Sequence, residues 1–146
     1  MQASTLTAIF MAVISGVAIG FQGTFNSLLS KTVGLWESTF IVHLTGLAAV
    51  TAIMLLFGQG NLFATFQAPR ASLLGGLLGV VVVAAVILAF RRLGAMYALG
   101  LVIFSQLLVA AVVDHFGWFG IERAPFSLAR AFGLLLLGAG VYFFKR

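Results

Sequence analysis

The chain has no cysteine and very little charge. Among its 146 residues, Asp and Glu total 3 and Lys and Arg total 8, so charged residues make up 8%. The absence of cysteine excludes disulfide bonds and thiol chemistry. A soluble domain normally carries about 25% charged residues, so the scarcity of charge excludes a soluble globular domain.

The chain is rich in apolar residues. Hydrophobic residues make up 62% of the chain, and the mean hydropathy is +1.20. Five apolar segments are each long enough to cross a bilayer core of about 30 Å; they run over residues 6–29, 38–57, 72–90, 95–116 and 128–144. The sequence therefore predicts an all-α membrane protein, with residues 1–146 forming a single domain of five transmembrane helices.

The predicted connections are short, with one exception. Residues 31–37 join the first two helices, and a tight basic turn over residues 91–94 joins the third and fourth. The segment GQGNLFATFQAPR joins the second and third; we expect a plain loop there, the alternative being that its phenylalanines rest in the membrane interface. The N-terminal MQAST lacks a basic region, so we expect the first helix to stay as a span rather than act as a cleaved signal peptide.

The basic residues give a small orientation bias. With five spans, the N-terminal side carries Arg70, Arg123 and Arg130, and the opposite side carries Lys31, Arg91, Arg92, Lys145 and Arg146. The positive-inside rule then slightly favours an external N-terminus, while insertion in both orientations stays open. Because many transporters consist of two repeats of opposite topology, we predict that this unit is half of a ten-helix inverted-repeat transporter. Its second half would come from an antiparallel dimer, formed with an identical copy or with a related paralogue.

The first helix contains the strongest candidates for a binding site. Gln22 and Asn26 are four residues apart and therefore lie on one face, beside Gly16, Gly20 and Gly23. Carboxamides cannot face acyl chains without cost, so both are expected to turn inward. We favour a lining for a polar solute; the alternative is that they bridge helices, contributing on the order of 1 kcal/mol.

Further polar candidates lie in the second and fourth helices. Ser105 and Gln106 lie near the centre of the fourth helix, where lining a cavity and bridging helices are both open. His43 shares a face with Thr39 and Gly46. Histidine changes charge near neutral pH, so proton coupling is one interpretation, and a neutral ring bonded to a backbone carbonyl is the other. The third and fifth helices are nearly all apolar and are predicted to be walls.

Charged side chains lie near the predicted helix ends. Those that could gate the protein or cap its helices are Glu37, Asp114, Arg91 and Arg92, and we favour capping. The helix dipole opposes an acid at a helix C-terminus, so Asp114 needs a cationic or backbone partner, for which Arg91, Arg92 and Arg123 are candidates by type. The net charge of +5 is spread over helix ends rather than gathered in one patch, so we expect no nucleic-acid partner.

The polar residues inside the apolar helices also show a family resemblance. RLGAMYALGLVIFSQLLVAAVVDHFGWFG, residues 92–120, is similar to the pattern RLG…Q…DHFG of the YdcZ-like proteins of the drug/metabolite transporter superfamily. GFQGTFNSLLSKTVG resembles that family's Gln-x-x-x-Asn motif, and APFSLARAFGLLLLGAGVYF looks like its closing helix. The resemblance implies a multi-pass protein of the bacterial inner membrane, a five-helix unit that moves small molecules. Glu37 departs from the family, in which a small neutral residue is expected.

No pattern indicates catalysis. The two histidines have no acidic or cysteine companion at ligand spacing, and there is no nucleophile–base pair or phosphate loop, so we expect no metal, no cofactor and no enzyme activity. The predicted function is alternating-access transport of a small polar metabolite. A neutral, zwitterionic or anionic solute is favoured because no carboxylate is central. The alternatives are a non-transporting membrane scaffold or regulatory subunit, and a proton-coupled exporter of small organic cations.

Overall fold

The helical architecture is that expected from the hydropathy pattern. The computed structural model describes residues 2–145, with side chains described from residue 5, and that part of the chain contains no strand. Its five α-helices are Gln2–Val33 (α1), Leu35–Phe57 (α2), Gly75–Leu93 (α3), Ala95–Phe116 (α4) and Leu128–Phe143 (α5). The all-helical class is confirmed, and both predicted ends of α4 match the structure.

The connection between α1 and α2 is shorter than predicted. α1 continues to Val33 and α2 begins at Leu35, leaving only Gly34 between them. Gly34 has φ 105 and ψ 166, a backbone region that is essentially restricted to glycine. The expected loop over residues 31–37 is wrong because the charge on Lys31 does not end the helix; a cation in the last turn is favoured by the helix dipole.

The connection between α2 and α3 is not a plain loop. It contains two 3₁₀-helices, Leu62–Gln67 and Arg70–Leu74, and α3 follows from Gly75. Asn61 caps the first of them, since its Oδ1 accepts a hydrogen bond from the Phe63 N–H at 2.9 Å. The plain-loop expectation is therefore wrong: the capping side chain and the 3₁₀ turns satisfy backbone groups that a loop would leave to water.

The chain divides into two compact units, Met1–Leu88 and Ala89–Arg146. In the first unit α1 packs along α2. Every buried side chain described on these two helices is polar: Asn26, Ser27, Ser30, Ser38 and Thr39. Small polar side chains of this kind let two helix backbones approach closely.

The second unit packs α4 along α5 through apolar groups. Ala98 of α4 and Val141 of α5 are 1% and 4% exposed. A Cβ added to Gly100 would lie 3.1 Å from side-chain atoms of Val141 and Phe144, so this glycine allows a close contact between the two helices. The buried side chains of α4 and α5 are thus apolar, whereas those of α1 and α2 are polar.

Four of the five helices belong to stretches long enough to cross a membrane, and the last helix is shorter. Four helical stretches are long and apolar enough to cross a membrane: Thr5–Val33, Leu35–Phe57, Arg70–Leu93 and Ala95–Phe116. α5 has 16 residues, or about 24 Å at 1.5 Å per residue, against a bilayer core of about 30 Å. The structure thus has four candidate spans and one shorter apolar helix, and the count of five spans stays a prediction.

Candidate functional site

An open groove lies between α1 and α2 in the first unit. Its volume is about 480 Å³, within the range of roughly 300–1,000 Å³ that small-molecule sites occupy. Gln22 and Asn26 line it from α1, and Thr45 and Gly46 line it from α2. The two carboxamides that the helical period placed on one face therefore open into the same cavity.

Several hydroxyl groups in these helices bond to their own backbone. Each reaches a carbonyl one turn earlier: Thr24 bonds to Gly20 at 3.0 Å, Ser30 to Ser27 at 2.8 Å, Thr39 to Leu35 at 2.9 Å and Thr45 to Ile41 at 3.0 Å. Ser105 of α4 does the same with Val102 at 2.9 Å. A hydroxyl that is satisfied within its own helix needs no partner across an interface.

The carboxamides differ from the hydroxyls in this respect. Gln22 is exposed and Asn26 is 8% exposed, and no hydrogen bond joins either carboxamide to another of the described residues. Among those residues, no fully enclosed side-chain N or O atom lacks a partner, so the polar atoms of Asn26 keep access to the groove. Each carboxamide carries two N–H donors and an acceptor oxygen, and these are available to a solute or to a second subunit.

His43 points away from the carboxamides. Its Nδ1 lies 2.8 Å from the carbonyl oxygen of Thr39. Because a carbonyl can only accept, Nδ1 must carry the hydrogen, which leaves Nε2 as the acceptor of the neutral ring. Nε2 lies 3.6 Å from the place that a Cβ on Gly79 of α3 would take. His43 thus lies against α3 and does not line the groove with Gln22 and Asn26.

Ser105 and Gln106 belong to the second unit. Both are exposed near the centre of α4, and the Gln106 carboxamide has no hydrogen bond within the described part of the chain. The expectation that Gln106 meets the carboxamides of α1 stays a prediction.

Asp114 pairs with Arg130, which is not among the cations expected from the sequence. Its Oδ2 lies 3.9 Å from a terminal nitrogen of Arg130 on α5. Arg123, one of the proposed partners, instead donates its Nε–H to the carbonyl oxygen of His115 at 3.0 Å. The signal that could have found Arg130 is the loop length, because a short connection makes α4 and α5 antiparallel and brings the start of α5 beside the end of α4.

The remaining charged candidates lie at helix ends. Glu37 is in the first turn of α2, where the helix dipole favours an acid, and Arg91 and Arg92 are in the last turn of α3, where it favours a cation. A Cβ built on Gly34 would overlap Oε2 of Glu37, so this carboxylate lies directly over the turn. These positions suit capping of the helix ends. The described residues hold no group of three metal-ligating side chains.

Helices that are long and apolar enough to cross a bilayer, with a groove between two of them that holds a pair of carboxamides, define the class as a multi-pass membrane protein. Residues 7–143 match the family described as "Putative inner membrane exporter, YdcZ". The chain therefore belongs to the YdcZ family and is a multi-pass protein of the inner membrane, which confirms the resemblance seen around Gln22, Asn26 and residues 92–120. No curated protein and no solved structure matches the chain.

Proposed function

We propose that the protein exports a small polar metabolite by alternating access across an antiparallel dimer of five-helix units. One observation carries the proposal: the Gln22 carboxamide is exposed on an apolar helix and has no hydrogen bond to any other described residue. In a hydrocarbon environment such a group needs a partner. A solute in the groove, enclosed by a second subunit, would supply it, and the family's description as an exporter supports this direction of transport.

The placement of the acids favours a solute that is neutral, zwitterionic or anionic. The chain has 3 acidic residues. Glu37 lies in the first turn of α2, Asp114 in the last turn of α4, and Glu122 in the connection that follows. No carboxylate therefore lies deep in a span to attract a cation, whereas the carboxamides of the groove both donate and accept hydrogen bonds.

The experiment is a ligand-stabilisation screen of the purified protein against a metabolite library, followed by flux of the best ligand in proteoliposomes. We expect Gln22→Leu and Asn26→Leu to abolish flux and keep the unfolding temperature, because the hydrogen-bonding groups disappear while the packed volume is nearly conserved. Gln67→Leu is the matched control: it makes the same change on an exposed residue of the 3₁₀-helix between α2 and α3, and it should leave flux intact.

The opposite pattern would identify the carboxamides as bridges between helices. In that case Gln22→Leu would lower the unfolding temperature or dissociate the dimer, while flux per folded protein stayed unchanged. The two roles therefore separate when stability and flux are measured on the same preparations.

The antiparallel arrangement can be tested by labelling single cysteines, because the chain has none of its own. Gly60→Cys and Lys145→Cys place a thiol at exposed positions before α3 and after α5. We expect each variant to be labelled only partially from one side of the membrane, since half of the copies face each way. Complete labelling from one side, together with a parallel cross-linked pair, would contradict the antiparallel dimer.

A further inference from the structure

A second groove, which the transport proposal does not use, runs between α4 and α5. Its volume is about 400 Å³. Leu107 and Ala110 of α4 and Gly133 and Leu134 of α5 contribute apolar surface. The same groove also includes Asp114 and Arg130, so it combines an apolar channel with a pair of opposite charges.

The two charges are close together but are not fully engaged with each other. The distance of 3.9 Å between Asp114 Oδ2 and the Arg130 nitrogen is that of a loose ion pair, and the two side chains are 41% and 47% exposed. The same Arg130 nitrogen donates to the carbonyl oxygen of Ala124 at 3.1 Å, and the Asp114 carboxylate accepts no hydrogen bond from the described residues. An anionic and a cationic binding partner are thus available side by side.

Aromatic residues mark the charged end of the groove as lying near the membrane surface. Asp114 is in the last turn of α4, which ends at Phe116. Trp118 follows directly, is half exposed, and stacks on Phe116 with a centroid distance of 5.5 Å. Tryptophan is enriched where the bilayer meets water. Leu107 lies seven residues earlier in the helix, about 10 Å deeper, so the groove runs from headgroup level into the hydrocarbon.

We propose that this groove binds a phospholipid with a zwitterionic headgroup that carries a primary ammonium, namely phosphatidylethanolamine. The phosphate meets the Arg130 guanidinium, and the ammonium N–H groups donate to the Asp114 carboxylate, both as charge-assisted hydrogen bonds. One acyl chain lies along the apolar part of the groove beside Gly133. A choline headgroup has no N–H donor for Asp114 and a glycerol headgroup has no cation, so neither satisfies both charges.

The test measures the unfolding temperature of the purified full-length protein in detergent with added lipids of matched acyl chains. Phosphatidylethanolamine should raise it more than phosphatidylcholine or phosphatidylglycerol. Asp114→Asn should remove the advantage of the ethanolamine lipid over the choline lipid, and Arg130→Gln should weaken stabilisation by all three. Arg91→Gln, which removes a basic residue at another helix end, is the control and should leave the ranking unchanged.

A variant in the wall of the groove distinguishes loss of lipid binding from misfolding of the protein. A Cβ built on Gly133 meets no atom within 4 Å, so Gly133→Leu starts from an unhindered Cβ and should place its branched end in the open groove. We expect it to keep the unfolding temperature in detergent alone and to lose the increase that lipid produces in the wild type.

Three results would overturn the proposal. They are equal stabilisation of the wild type by the three lipids, a preference for the ethanolamine lipid that survives Asp114→Asn, and dissociation of a dimer by Gly133→Leu with lipid stabilisation intact. The last result would assign the groove to a second copy of the chain instead of a lipid.

Discussion

Two helix-to-helix links of a single glycine each, Gly34 and Gly94, share one backbone geometry and differ in the side chains around them. Each glycine donates its N–H to the carbonyl four residues earlier and accepts from the N–H four residues later, all at 3.1 Å. Both have positive φ, 105 for Gly34 and 80 for Gly94. The flanking buried residues are Ser30 and Ser38 in the first case, and in the second Phe90 and Ala98.

The same glycine geometry and the same backbone hydrogen bonds thus occur with polar flanking residues at Gly34 and with apolar ones at Gly94. Ser30 and Ser38 bond to carbonyls of their own helices, at 2.8 and 3.0 Å. Their hydroxyls are therefore satisfied, and the small side chains still allow α1 and α2 to approach closely. Because they are hydrogen-bonded, the buried hydroxyls beside Gly34 avoid the free-energy cost of an unpaired polar group. The carboxamides of Gln22 and Asn26, which have no such bond, would face that cost in lipid.

The largest expected effect concerns the two histidines, one in each unit. His43 lies within α2 with its Nδ1 on the Thr39 carbonyl oxygen at 2.8 Å, whereas Nδ1 of His115 accepts the Phe126 N–H at 3.1 Å at the end of α4. Under an imposed proton gradient in liposomes, we expect His43→Gln to abolish any gradient-dependent part of the flux and His115→Gln to keep it. A gradient-dependent flux that persists in His43→Gln would exclude this histidine as the proton carrier.

The next effect concerns the two turns themselves. Gly34→Ala and Gly94→Ala should each cost about 1–3 kcal/mol in the free energy of unfolding, because both need a backbone region that other residues avoid. Gly34→Ala should cost more, since the added Cβ also displaces the Glu37 carboxylate. Denaturant unfolding in detergent measures both changes.

Gly16→Ala is the control for the two turn variants. This glycine lies inside α1 with open space around it, and alanine favours a helix. If Gly34→Ala and Gly94→Ala change stability no more than Gly16→Ala does, neither link depends on positive φ.

A smaller effect is expected where α4 meets α5. A Cβ at Gly100 or at Gly138 would lie 3.1 or 3.2 Å from apolar side-chain atoms, so an alanine at either position should cost about 1 kcal/mol through overpacking. Gly140→Ala, which meets no atom within 4 Å, should cost nothing. Equal unfolding temperatures for the three variants would show that the α4–α5 contact is looser than the structure indicates.

The smallest effect tests the polar flank of the Gly34 turn. Ser38 is fully buried, and its hydroxyl bonds only to the backbone of its own helix. Ser38→Ala should therefore cost no more than about 0.5–1.5 kcal/mol and should reproduce the arrangement of Ala98. A loss well above that range would mean that the hydroxyl holds α1 and α2 together.

The errors in predicting the fold lie in the connections between helices. The sequence predicts a connection from residue 31, yet α1 continues to Val33, and a cation such as Lys31 in the last turn stabilises a helix. The phenylalanine-rich segment after α2 forms 3₁₀ turns in place of the plain loop expected from the sequence, because 3₁₀ turns have no hydrophobic period that a sequence could reveal. Helix type and order were predictable, since long apolar runs have few other structures available in a membrane.

For the site, the helical period predicts only which residues share one face of a helix. A separation of four residues places Gln22 and Asn26 on one face, whichever helix lies opposite. The same period places His43 on one face with Thr39 and Gly46, and in the structure its Nε2 lies 3.6 Å from the place of a Cβ on Gly79 of α3. A residue's own helix determines its face, and the neighbouring helix determines what that face meets.

Hydropathy, helical period and the family motif were sufficient to establish a helical inner-membrane protein of the YdcZ family with two carboxamides on one face of its first helix. The fold alone determined that these carboxamides open into a groove, that Arg130 and not Arg123 lies beside Asp114, and that a single glycine links two helices at positions 34 and 94. The physical reason is the separation along the chain over which each effect acts. Solvent preference and helix periodicity act within a few turns of the chain, whereas grooves and ion pairs form between helices whose meeting depends on the path of the whole backbone.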